Sequence, residues 1–327
     1  MDKKKVMIIG GGTGSYVVLS GLKEYDYDIV AVTTVADDGG SSGRLRNEFG
    51  FLPAGDMRQS IAALSQENGF LKDLLLYRFE KGEKGLKGHN LGNLILTALD
   101  DITGSESKAL ETAAKIFSLK GKVLPVSLGL TKVKAKYSTG KEIIGEHFIE
   151  ENKLTKGERI IEYKADPPVK INPAVKAEIK DTDLIIFGPG DLYNSTIANL
   201  TINGVSKEIK ESQAQVLQII NLMTLASQTA YFTASDHVKE LEKYLGKKVN
   251  YILLNTRKIP EDVLKNYRKF NEYQIEDDLK GDSRVFRLDL LSTTKVKKNS
   301  SDPLKRSLIR HSSQKIGKAI VNIINKL

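Results

Sequence analysis

The chain has no cysteine, which excludes disulfides, thiolate metal sites and cysteine nucleophiles together and agrees with a reducing cytosol. It has no apolar run near the ~20 residues that a membrane-spanning helix needs. The N-terminal run Val6 to Ile9 is too short for the hydrophobic segment of a signal peptide, so the expected location is cytoplasmic. No His/Cys metal cluster, nucleophile elbow or P-loop lysine occurs. What remains is a 327-residue chain, 40% hydrophobic and 28% charged, an ordinary balance for a globular protein and one that excludes global disorder.

Acidic residues are nearly absent from one end. Residues 295–327 hold nine Lys/Arg and one acid, Asp302, whereas the rest of the chain is close to neutral, with 41 Lys/Arg against 40 Asp/Glu. The net charge of +9 is therefore a property of the C-terminal segment, including Lys295, Lys297, Lys298, Lys305, Arg306 and Arg310. A solvated tail, or a patch facing an anionic ligand or membrane lipid, explains this better than a nucleic-acid surface spread over the molecule.

KVMIIGGGTGSYVVLSGLKEY reads as strand, glycine turn and helix, and DIVAVTTVADD reads as the next strand. The pair is a βαβ unit with parallel strands. Residues 56–118 carry apolar positions at helical spacing. Residues 122–164 alternate like antiparallel strands, and the α/β rhythm returns from DLIIFGPG to a closing amphipathic helix, SQKIGKAIVNIINKL. The expected architecture is a doubly wound, mostly parallel sheet, a single α/β domain over 1–327 with a small β-rich insert at about 122–164. SDHVKELEKYL is expected to be capped by Ser235 or Asp236.

Ten of the 27 glycines lie between Gly10 and Gly55. In IIGGGTGSY they follow a strand and open a helix, where backbone N–H groups can face an anion; Ser15 stands where the dinucleotide fingerprint wants glycine or alanine. Asp37 and Asp38 end the second strand, suited to a ribose hydroxyl or to a divalent cation such as magnesium; a solvated Asp-Gly turn is the plainer alternative. The following GGSSG reads as an anion-binding loop, with Arg44 or Arg46 reaching a phosphate. Asp56 reads as a helix cap, and Arg58 beside it opposes the helix dipole. His89 and Asn93, four apart, can share a face. FGPGDLYNST is a second strand-to-glycine-to-helix junction at the carboxyl edge of the sheet.

Taken in order, GGGTG, TVADDGGSSGRLR, PAGDMRQ, GHNLGNL, GPGDLY and SDHV closely resemble the YvcK-like gluconeogenesis factor family, which is related to the CofD-like 2-phospho-L-lactate transferases of deazaflavin cofactor synthesis. The resemblance implies a three-layer α/β fold, a cytoplasmic role linking carbon metabolism to cell-envelope synthesis and cell shape, and binding of a UDP-sugar such as UDP-N-acetylglucosamine. Carried over by position, it implies ligand contacts at Gly11, Gly12, Thr13, Gly14, Asp37, Asp38, Arg44, Asn93, Gly188 and Gly190, with Tyr267 and Arg310 matching more loosely. Asp37 and Asp38 are also the candidate metal ligands.

The chain departs from the family pattern at LASQTAYF, residues 225–232, where Gln228 and Ala230 replace acids, and mildly at Asn90, Asp191 and Asn194. Two functions compete: a UDP-sugar-binding regulator, and a magnesium-dependent phosphate-group transferase of the 2-phospho-L-lactate type. An NAD(P) oxidoreductase is disfavoured by the imperfect fingerprint. Regulatory protein partners and a homo-oligomer are both compatible with the chain; nucleic acid is not an expected partner.

Overall fold

A computed structural model describes residues 3–66, 69–81, 85–293 and 308–327. Val6, Met7, Ile8 and Ile9 are all buried, and a strand apolar on both faces needs cover on both, as in a parallel sheet between helix layers. Seven strands form that sheet: β1 (Lys5–Ile9), β2 (Asp28–Thr33), β3 (Lys122–Pro125), β7 (Leu184–Phe187), β8 (Gln215–Ile219), β9 (Tyr251–Asn255) and β10 (Val285–Leu288). Their order is β10-β9-β8-β7-β1-β2-β3, every pair parallel. The chain winds outward from β1 to β3, then restarts on the other side of β1 with β7. The crevice between β1 and β7 is thus the switch point at which open α/β sheets bind ligands.

Seven helices of the N-terminal half are α1 (Gly12–Leu22), α2 (Gly40–Phe49), α3 (Ala54–Leu64), α4 (Phe70–Leu76), α5 (Leu91–Thr103), α6 (Glu106–Ile116) and α7 (Glu146–Glu151). α1 packs against α3 and the C-terminal helix Ser313–Ile324, while Pro173–Lys180, Val205–Glu211 and Ala234–Leu245 form a second group. A π-helical turn, Leu192–Ile197, follows β7.

Strands β4 (Lys132–Tyr137), β5 (Glu142–Ile144) and β6 (Ile160–Asp166) form a separate antiparallel sheet. Its inner face, with Val133, Ala135, Tyr137 and Tyr163, packs with Leu192 and Tyr193 of the π-helical turn in a second core. The insert is therefore rooted beside the switch point.

Four local expectations change. KVLPVSL is not part of the insert: β3 pairs in parallel with β2 in the main sheet. EIIGEHFIE is half strand and half helix, β5 followed by α7. The GGSSG loop is the start of helix α2; glycine and serine are weak helix formers, and the contacts that hold this helix come from elsewhere in the chain. The helix Ala234–Leu245 is capped by Thr233, which forms a reciprocal capping box with Asp236.

The basic C-terminus is not a tail as a whole. Ile316, Ile320, Ile323 and Ile324 of the last helix are buried in the main core, and Lys315 pairs with Asp289 at 2.8 Å. Lys295, Lys297, Lys298, Lys305 and Arg306 lie outside the described residues.

Candidate functional site

The two glycine junctions found in the sequence meet at the switch point. A Cβ at Gly14, in the first turn of α1, would stand 1.3 Å from the carbonyl oxygen of Pro189 in the loop after β7, so no other residue fits without parting the loops. Gly188 packs beside Ser15, and Gly190 lies against Gly11. Asn221, beyond β8, fixes this second loop: its Oδ1 accepts the Gly190 N–H at 3.0 Å and its Nδ2 donates to the Gly190 carbonyl.

The positive end of α1 already holds an anion supplied by the chain itself. The Gly12 N–H donates to Asp56 Oδ1 at 2.7 Å, and a Cβ at Gly11 would strike the other Asp56 oxygen at 1.9 Å. Asp56 sits in the first turn of α3, whose N-cap is Pro53. It spans to a neighbouring helix instead of capping its own.

Asp37 faces the same place. Its Oδ1 accepts from Gly39 N–H at 2.9 Å, and its Oδ2 lies with Ser42 Oγ over Gly55, just before Asp56. Asp38 turns away and anchors the insert. Its Oδ1 accepts from the His147 N–H in α7 at 3.0 Å, and Lys132 stands 4.0 Å from its Oδ2. The adjacent aspartates thus serve different ends.

Three further acids converge with Asp37 and Asp56: Asp191 at the start of the π-helical turn, and Glu146 and Glu150 one helical turn apart on α7. All titrate upward. Desolvation raises Asp56 to about 7, with Asp37 adding to the rise; desolvation and Glu272 raise Asp191 to about 6. Glu146 is held well above the carboxylate range by desolvation and then by Asp37. Glu150 is pushed to about 8 by desolvation, Asp191 and Asp37, although it is exposed at the rim, where solvent screening trims the rise. Asp37 itself moves upward through burial. Asp37, Asp56, Glu146 and Asp191 are all half-buried, and neighbouring acids disfavour one another's ionised forms. Among the described residues, no three His, Cys, Asp or Glu side chains stand close enough to hold a metal ion by themselves.

Asn93 lies beneath this group, 2% exposed. It accepts from Arg58 Nε at 2.8 Å and donates to Ser41 Oγ and Ser42 Oγ; His89 Nδ1 reaches the same Ser41 Oγ at 3.1 Å. This network ties α5 to the N-terminus of α2 and so positions the Asp37 turn. It also gives Arg58 a reason for its place in a first turn. Arg44 is exposed and donates to the Lys87 carbonyl. Arg46 is the arginine that reaches the acid loop, donating to the carbonyls of Asp37 and Thr131.

The family model for CofD, the 2-phospho-L-lactate transferase, matches residues 6–294. The chain belongs to the CofD family. It is 37% identical over 328 residues to the gluconeogenesis factor of Bacillus subtilis, covering 99% of each chain. A Thermotoga maritima protein bearing the same name in provisional form is 45% identical over 275 residues, 84% of this chain and 86% of that one. A crystal structure of a UPF0052-family protein from Bacillus halodurans superposes with a TM-score of 0.87 at 34% identity, covering 98% of this chain and 99% of the other.

Gln228 is fully buried, and its Oε1 accepts the Tyr193 N–H at 3.2 Å; Ala230 belongs to the second core. Tyr267 and the segment leading into Arg310 meet on the side of Glu272, whose N–H donates to the Tyr267 carbonyl at 3.2 Å. The Tyr267 hydroxyl accepts the N–H groups of Leu308 and Ile309, and the Arg310 carbonyl accepts from Ser292.

The alternating pattern of residues 122–164 hides Glu146 and Glu150, which lie on a helix within it. Their four-residue spacing, which puts both on one face of a helical turn, was the available signal.

Proposed function

We propose that the carboxyl edge of the sheet, where the two glycine loops meet, binds the diphosphate of a nucleotide sugar of the UDP-N-acetylglucosamine kind. In this reading the protein is a regulatory gluconeogenesis factor that links carbon metabolism to cell-envelope synthesis and cell shape. The observation that carries it is the contact of two glycine loops at the switch point, with Asp56 against the first of them and carboxyls of raised pKa around it.

A diphosphate cannot bind at this edge bare, because Asp56 already occupies the α1 N-terminus. It needs retained protons or a bridging cation. Hard carboxylate oxygens suit magnesium, which takes one or two carboxylates, keeps several waters and shares phosphate oxygens. Asp37 and Asp56 fit that partial set, with Asp38 committed to α7. Bound there, the ion would supply counter-charge to the phosphates.

The test is isothermal titration with UDP-N-acetylglucosamine, with and without magnesium. Micromolar binding that strengthens with magnesium is expected; absence of heat at concentrations where such binding would show overturns the reading.

A second reading is transfer of a phosphate-containing group, as the CofD description of the matching family names. Asp56 at about 7 is its support, since a carboxyl titrating near neutrality can exchange protons at working pH. Incubation with a nucleotide-activated phospholactate, a deazaflavin alcohol as acceptor and magnesium separates the two: transfer to the acceptor hydroxyl with release of the nucleotide favours the enzyme, and none leaves the regulator.

A further inference from the structure

Tyr231 has φ +66°, in the left-handed region, where a bulky side chain is an outlier. Glycine would adopt it freely. The chain on either side is fixed, with Ala230 and Phe232 buried in the second core and Gln228 holding the Tyr193 N–H. The Tyr231 ring is nevertheless 51% exposed, so its burial does little to offset the strain. Strain of this kind persists where surroundings impose it and gathers at ligand clamps.

The ring is not loose. It stacks on Tyr273, with centroids 6.0 Å apart and planes 26° apart. Tyr273 is pinned in turn, its N–H donating to Thr224 Oγ1 at 2.9 Å and its carbonyl accepting the Thr224 N–H at 2.7 Å. The pair adjoins the site on both sides along the chain. Glu272, just before Tyr273, is the acid that helps to raise Asp191. Gln274, just after it, lines a shallow hollow with Leu254, Asn255 and Asn221, and Asn221 is the side chain that grips Gly190. The stretch of chain that carries Tyr273 is therefore joined to the second glycine loop through Asn221, and two exposed stacked rings stand on it.

We propose that Tyr231 and Tyr273 are the base-stacking platform of the nucleotide site, the outer face of Tyr231 receiving a flat heteroaromatic ring while the glycine loops hold the phosphates. This rests on the nucleotide reading above and adds the subsite for the base. Rigid tyrosine rings offer a π-face with little rotamer entropy to lose, and neighbouring amides carry both donors and acceptors for a ring edge.

The experiment compares binding of UDP and of inorganic pyrophosphate, both with magnesium, to the full chain and to Tyr231→Gly, Tyr231→Phe and Tyr273→Leu. Loss of the stack should weaken UDP about tenfold in Tyr231→Gly, leave pyrophosphate unchanged, and raise the melting temperature by relieving strain. Tyr231→Phe should bind UDP as the parent does, and Tyr273→Leu should weaken UDP alone. UDP binding unchanged in Tyr231→Gly, or a lowered melting temperature there, overturns the platform and leaves the phosphate site standing. So does a parent protein that binds pyrophosphate as tightly as UDP. A parent that binds neither removes both readings together.

Discussion

Asp56 carries most of what is chemically unusual at the residue scale. The folded protein holds its proton up to about pH 7, whereas an unfolded aspartate releases it near pH 4. Between those values the folded state binds more protons, so this group makes stability fall as pH rises from about 4 to 7, and the loss persists above. Asp37, Asp191 and Glu146 shift in the same direction. Asp56→Asn keeps an acceptor for the Gly12 N–H and removes the charge. It should gain about 1–2 kcal/mol at pH 8, after allowance for the solvent that reaches the group, and close to nothing at pH 4. Urea midpoints at the two pH values test this; equal changes at both would contradict desolvation of a charged carboxylate, with Asp37 beside it, as the cause. Asp56 was legible as a helix-start residue, but its partner Gly12 lies 44 residues away, which no local pattern encodes.

At the scale of elements, α7 brings the insert to the site. A six-residue helix is far too short to stand alone, and its N-terminus is satisfied by Asp38 across 109 residues of sequence. Asp38→Ala should cost the helix about 1 kcal/mol, the usual price of a lost cap. Amide exchange in residues 145–151 should then quicken roughly fivefold, with β1 and β2 unchanged, as read by hydrogen-exchange mass spectrometry. Uniform loss of protection would mean that Asp38 supports the whole fold instead. The β1–α1–β2 unit was readable because its signal is local: an unbroken apolar strand, glycines, then a helical face. Helix α2 was not, because Gly40, Ser41, Ser42 and Gly43 have poor propensity and it is Asn93 and His89 that hold their turn in place.

For the molecule as a whole, the C-terminal helix closes the core. Ile320 is fully buried among the residues of the main core, so Ile320→Ala should lower stability by about 2–5 kcal/mol, visible as a reduced urea midpoint for the entire transition. A change under about 0.5 kcal/mol, as for a surface site, would restore the solvated-tail interpretation. By itself the sequence determined the parallel α/β class, the two glycine junctions and the membership of a family, since each rests on apolar periodicity or on contiguous motifs. Only the tertiary structure decided that Asp37 and Asp38 part company, that Asp56 fills the helix terminus, and that α7 adds its two glutamates. Those facts depend on which distant segments meet, and such meetings are set by packing around the switch point, not by neighbours in the chain.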